Sequence, residues 1–182
     1  PGESALSRLT SRLVSDTATL PAKDLEELRE AALDDQELAR LVLRLADHIV
    51  CAPKFADQEL DINIVRALLY LERRDPRVDQ RIRQYLNGRQ LTPLALEAVG
   101  ALDPNTGEDR AFEIITSLGK LIWTVERAAL VFAIDQVEDL RFFDDAEERF
   151  QKAVRDLIQI ANRLSNSIII ISCLDDFYGQ VR

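Results

Sequence analysis

The sequence predicts a chain of two characters: mainly α-helical over its first two-thirds, residues 1–127, and α/β over the remainder, residues 128–182, as a parallel βαβ piece. Three observations predict this. Apolar residues recur at three- and four-residue steps from Leu6 to Val125, the spacing that gathers them on one face of a helix. Two short runs, Ala128 to Ile134 and Ser167 to Cys173, break that spacing with unbroken apolarity and many β-branched residues, which fits strands buried on both faces. A helical pattern from Asp144 to Leu164 separates them, so strand, helix and strand form a right-handed parallel crossover.

The elements follow in order. Leu6, Leu9 and Leu13 mark a first helix, and Leu25, Leu28 and Ala32 a second that starts near Asp24. After Asp35 the residues Leu38, Leu41, Val42, Leu45 and Ile49 define a third, which Pro53 ends. Ile62, Val65, Leu68, Leu69 and Leu71 form a fourth, broken before Pro76, and Val78, Ile82, Tyr85 and Leu86 a fifth that closes at Asn87-Gly88. A short segment spans Leu94 to Val99, and Asp103-Pro104-Asn105-Thr106-Gly107 is the strongest turn signal in the chain. Phe112, Ile115, Leu118, Ile122 and Val125 then give a long amphipathic helix. The crossover helix carries the stripe Phe150, Val154, Leu157, Ile158 and Ala161. Two strands alone leave edges and faces uncovered, so more sheet is expected from polypeptide outside these residues. The chain is expected to be an internal piece of a longer protein.

The 182 residues are 47% apolar and 30% charged, the balance of a folded globular protein. The net charge of −9 argues against a duplex-binding domain, which presents a basic face. Arg66, Arg73, Arg74, Arg77, Arg81, Arg83 and Arg89 run against that trend. They are expected to be a salt-bridged helix surface, with nucleic-acid contact through this Arg66–Arg89 region as the lesser reading. Cys51 and Cys173, far apart, and a single histidine, His48, exclude a self-contained Cys/His zinc site. The cysteines are expected as buried free thiols in a cytoplasmic protein. His48 and Trp123 are expected to pack as structural residues, and Tyr70 and Tyr85 at the core edge. No stretch reaches the roughly 20 apolar residues that span a bilayer.

Chemistry is expected where the two strands end, because open α/β sheets bind ligands beyond the carboxyl ends of their strands. The first run delivers Asp135-Gln136-Val137-Glu138-Asp139, and the second Ser172 followed by Asp175-Asp176. An apolar strand ending in aspartate brings one carboxylate to a wet rim, where it can hold Mg²⁺ against phosphate oxygens. A second carboxylate close by, Glu138, can activate a water. Asp144, Asp145, Glu147 and Glu148 suit the positive end of the crossover helix better than a metal.

The string Leu-Val-Phe-Ala-Ile-Asp-Gln-Val-Glu-Asp-Leu, from Leu130 to Leu140, resembles the Walker B region of the STAND branch of AAA-like P-loop ATPases, which shows an apolar strand followed by Asp-Gln-aromatic-Glu-Glu-Leu. Ile-Ile-Ile-Ser-Cys-Leu-Asp-Asp-Phe-Tyr resembles that family's sensor strand, which ends in Arg-x-Asp-Phe-Tyr. The resemblance covers Leu121 to Arg182 and implies the core of a P-loop NTPase, with ATP and Mg as cofactors. Residue by residue it implies Asp135 for the Mg²⁺ shell, Glu138 for water activation, and Gln136 and Ser172 beside the nucleotide, Ser172 at the position that reads the γ-phosphate. Asp176 matches the Asp of Asp-Phe-Tyr, where a helix cap is the plainer role. Gln136 stands where many related ATPases have glutamate, and Leu174 where the family has arginine.

No GxxxxGK[ST] run occurs; Gly119-Lys120 lacks the upstream glycine. The phosphate-binding loop is expected before Pro1, with the helical region as an insertion or subdomain. The expected function is therefore ATP hydrolysis by the larger protein, driving conformational change or assembly, with this chain inactive alone. The alternative is a non-catalytic helical module on a degenerate NTPase scaffold that binds protein partners or self-assembles. No membrane role is expected.

Overall fold

Nearly every residue from Asn63 to Glu72 is buried, as expected of a segment whose apolar residues surround the helix axis. The helical part of the protein is built around this helix. The computed structural model describes residues 4–16, 20–30, 32–107, 109–136 and 145–172. The chain divides into two units, Pro1–Arg127 and Ala128–Arg182.

In the first unit the described helices are α1 (Ala5–Asp16), α2 (Ala22–Glu30), α3 (Asp35–Val50), α4 (Ile62–Glu72), α5 (Pro76–Leu86), α6 (Pro93–Glu97) and α7 (Arg110–Glu126), with a 3₁₀ turn at Ala56–Gln58. Helix α4 packs against α1, α3, α5 and α7. The core gathers Leu13, Leu28, Leu41, Leu45, Ile49, Ile64, Leu68, Leu69 and Ile82, all but sealed from solvent. Caps set the helix starts. Asp34, not Asp35, precedes α3 and forms a capping box: its side chain accepts from the Gln36 and Glu37 N–H groups while the Glu37 carboxylate accepts from the Asp34 N–H. Asp61, Asp75 and Thr92 cap α4, α5 and α6 by a side-chain oxygen alone, accepting from the Asn63, Arg77 and Ala95 N–H groups, with proline first in α5 and α6.

The polar groups inside this unit are tied together. The Arg110 guanidinium, on the first residue of α7, donates to Asp61 (2.5 Å), Glu113 (3.0 Å), Asn105 (2.9 Å) and the Tyr85 hydroxyl (2.8 Å). Asn105 in turn donates to the Tyr85 and Arg89 carbonyls, so the 103–107 turn is stitched to α5. Buried Asn63 donates to Asp103, and buried Glu72 accepts from Arg29 at 2.6 Å.

Several single-residue expectations change. Tyr70 and Tyr85 are fully buried rather than at the core edge. Trp123 is 40% exposed and lies under the Arg127 guanidinium, 5.6 Å from its ring centre; a cation over the indole face replaces core packing there. Cys51 is an exposed free thiol at the C-cap of α3, just past the last helical residue Val50. His48 is exposed, its Nδ1–H donating to the Arg44 carbonyl one turn back.

The second unit holds β1 (Leu130–Ile134), α8 (Ala146–Arg163) and β2 (Ser167–Ile171). The strands are parallel, in register from Leu130 opposite Ser167 to Ile134 opposite Ile171. The register is anchored at its start: the Leu130 N–H donates to the Asn166 carbonyl, and the Asn166 amide donates to the Ala128 carbonyl. Helix α8 packs on β2, with Ile160 and Leu164 buried. Asp145 does not cap α8 through its side chain and pairs instead with Arg149 at 2.6 Å.

The unbroken apolar runs predict burial on both faces, but one face is open. Leu130, Phe132, Ile134 and Ile169 are partly buried, whereas Val131 (59%), Ile168 (52%) and Ile170 (53%) are exposed, as is Ile171 (48%) at the carboxyl end of the covered face. Successive strand side chains alternate between faces. Among the described residues the sheet has two strands, each with one unpaired edge.

Candidate functional site

The register that pairs Ile134 with Ile171 makes Asp135 and Ser172 the next two residues on the parallel strands. The ladder continues one bond further, with the Ser172 N–H donating to the Ile134 carbonyl at 2.9 Å. Neighbouring strands lie about 4.8 Å apart, a span that a serine hydroxyl and a carboxylate can close. The Ser172 hydroxyl donates to Asp135 Oδ1. The Gln136 N–H donates to the same oxygen at 3.0 Å.

Gln136 reaches that position through a left-handed backbone, φ 59°. A side chain in that conformation costs about 1–2 kcal/mol, which the hydrogen bond to Oδ1 partly offsets. Asp135, Gln136 and Ser172 are all exposed. Beside them opens a cleft of about 280 Å³, lined by Ile134, Asp135, Gln136, Phe150, Ala153, Val154, Leu157 and Ile171. Its floor is apolar, and among the described residues its rim carries one carboxylate, that of Asp135. The helix stripe predicts Phe150, Val154 and Leu157 as apolar, but periodicity alone does not say that they face the carboxyl end of β1.

Of the four predicted site residues, the structure brings Asp135, Gln136 and Ser172 together. Glu138 lies outside the described residues, as do Cys173, Leu174, Asp175 and Asp176. Among the described residues no group of three or more His, Cys, Asp or Glu side chains could hold a metal. Among the described residues Asp135 is the one carboxylate at the strand ends that a divalent ion could use, with phosphate and water able to complete its shell.

The arginine-rich stretch is largely spent on the protein itself. Arg66 donates to Asn63 and the Gly100 carbonyl, Arg73 to the Leu28 carbonyl, Arg77 to Asp75 and Arg83 to Asp79. A groove of about 480 Å³ between α1, α4 and α5 is lined by Ser7, Thr10, Ser11, Leu71, Glu72, Arg74, Asp79 and Arg83. Its charges alternate in sign, and Glu72 and Asp79 already have arginine partners, so it presents no uniform field to an ion. No described helix is long and apolar enough to cross a membrane.

Sequence reasoning missed the Arg110 network altogether. Its partners lie 49 residues before Arg110 at Asp61, 25 before at Tyr85 and only five before at Asn105, and no local pattern links them. Set against protein-family models, curated proteins and solved structures, the chain matches none of them.

Proposed function

We propose that this chain carries the magnesium-side edge of the nucleotide site of an AAA-like, STAND-branch P-loop ATPase. The observation that supports it is the pairing of Asp135 with Ser172 at the carboxyl ends of two adjacent parallel strands, the place where open α/β sheets bind ligands. The donor set fits a hard cation. Magnesium takes oxygen ligands and is commonly held by one or two carboxylates plus substrate phosphates, and Asp135 offers one exposed carboxylate at the rim.

In this reading Asp135 holds the Mg²⁺ shell, Gln136 and Ser172 shape the edge that faces the phosphates, and Glu138 takes the proton of the attacking water. The ion, when bound, supplies charge neutralisation on the phosphates. ATP binding further requires backbone N–H groups and a lysine around the phosphates. No GxxxxGK[ST] run occurs in the chain, so these come from polypeptide outside it. The two-stranded sheet is then one part of a wider P-loop sheet, and the helical unit a subdomain that receives or transmits the conformational change.

The test is Mg-ATP binding by calorimetry on this chain and on a version extended upstream in its own gene. Binding by the extended protein alone, with loss of Mg²⁺ dependence and turnover in Asp135→Ala, is the expected result. Full turnover in Asp135→Ala refutes the reading.

The exposed apolar face of Val131, Ile168 and Ile170 favours a second reading: a non-catalytic module that works by binding protein. It expects no nucleotide binding even by the extended protein, together with stable capture of a partner.

A further inference from the structure

Resting on the metal-edge reading above, we propose that Ser172 is a positioning residue for Asp135 and not a reader of the nucleotide's phosphate. The argument is a count of protons and lone pairs. A serine hydroxyl has one proton to donate. Ser172 gives it to Asp135 Oδ1. Phosphate oxygens at neutral pH chiefly accept, so the hydroxyl cannot serve them while this bond stands.

The second donor sharpens the point. A carboxylate oxygen has about two lone-pair directions, and Oδ1 receives both the Ser172 hydroxyl and the Gln136 N–H. That oxygen is filled, and neither bond goes to Oδ2. The two donors follow the ends of different strands, so they fix the carboxylate's rotation as well as its position. The side chain is thereby turned to offer Oδ2 to a divalent cation. The left-handed backbone at Gln136 serves the same end, since it aims the Gln136 N–H back at the carboxylate. Hydrogen-bonded partners of a metal-binding carboxylate commonly change metal affinity about 10–100-fold when removed. Both groups here are exposed, which puts the expected effect near the lower end, about tenfold.

The experiment uses the full 182-residue chain and Mn²⁺ alone, read as paramagnetic broadening of the amide signals of Ile134, Gln136 and Ser172. Wild type should broaden selectively at these signals, and Asp135→Asn should abolish the effect. Ser172→Ala should need about tenfold more Mn²⁺ for the same broadening, and Ser172→Thr, which keeps the hydroxyl, should restore it. Equal Mn²⁺ dependence of wild type and Ser172→Ala overturns the positioning role while leaving Asp135 as the metal residue. No selective broadening in wild type, or its persistence in Asp135→Asn, overturns the metal-edge reading and this one with it.

Discussion

Gly100 offers a measurable test of how the helical unit is packed. It has φ +70°, and a Cβ built there would collide with the Tyr70 hydroxyl while meeting Ala39 Cβ at 3.0 Å and Arg66 Nη2 at 3.3 Å. None of these neighbours has an easy escape. Tyr70 is 1% exposed, and Arg66 donates to the Gly100 carbonyl itself. Gly100→Ala should therefore carry two costs. The left-handed backbone accounts for about 1–2 kcal/mol, and forced repacking around the new methyl for about 1–3 kcal/mol. The sum is about 2–5 kcal/mol, read as a lowered urea midpoint with an unchanged slope by far-UV circular dichroism. Tyr70→Phe separates the terms. The Tyr70 hydroxyl is buried without a hydrogen-bond partner among the described residues, so its removal should leave stability unchanged or raise it by up to about 1 kcal/mol. In the double variant the nearest obstacle is gone, so the backbone cost should remain together with only the smaller repacking against Ala39 and Arg66. A Gly100→Ala protein within about 0.5 kcal/mol of wild type would refute the reasoning, as would a double variant no better than the sum of its parts.

Two further perturbations probe the polar framework. Arg110→Met should destabilise the helical unit by about 3–5 kcal/mol, because it strips Asp61, Asn105 and Tyr85 of a shared, mostly buried donor; a denaturation midpoint close to wild type would show the network to be dispensable. Asp75 is held down from 3.8 to about 2, first by the hydrogen bond from the Arg77 side chain and then by the Arg77 N–H. A lowered carboxyl pKa contributes stability that is present above pH 3.8 and lost as pH falls through about 2. NMR titration should give a midpoint of about 2 in wild type, and Arg77→Ala should move it up towards, but not to, 3.8, because the backbone bond survives; a wild-type midpoint at 3.8 would refute the pairing.

Periodicity made the long elements legible. Helices α3, α4, α5, α7 and α8 and both strands fall where the apolar spacing puts them, because that spacing records which face is buried. It does not record what covers the face. The isoleucines of β2 predict burial on both sides, yet Ile168 and Ile170 stand in solvent. Ile158 and Ala161 belong to the predicted stripe of α8 but are exposed, while Ile160 and Leu164 take the buried places. Trp123 shows the same limit at one residue: an indole is apolar enough for a core, and the nearby Arg127 offers it a cation instead. At the candidate site the acidic strand end was visible in the chain. Ser172 was visible too, at the end of the second strand, but its bond to Asp135 was not, since the contact depends on a register between residues 37 apart.

That same separation sets an order of events in folding. Helix pairs such as α3 with α4 and α4 with α5 join neighbours in the chain, and contacts of short sequence separation form fast. Parallel pairing of Leu130 with Ser167 must wait until the whole of α8 has been made and folded back. During synthesis the helical unit can consolidate while the run Leu130–Ile134 is still without its partner strand. For that interval the chain displays a short, uncharged, β-prone segment, the kind that recruits like segments from other chains. Yield of folded protein should thus be limited by the second unit, and the arrival of β2 is the step at which a growing chain either closes its sheet or is lost to aggregation.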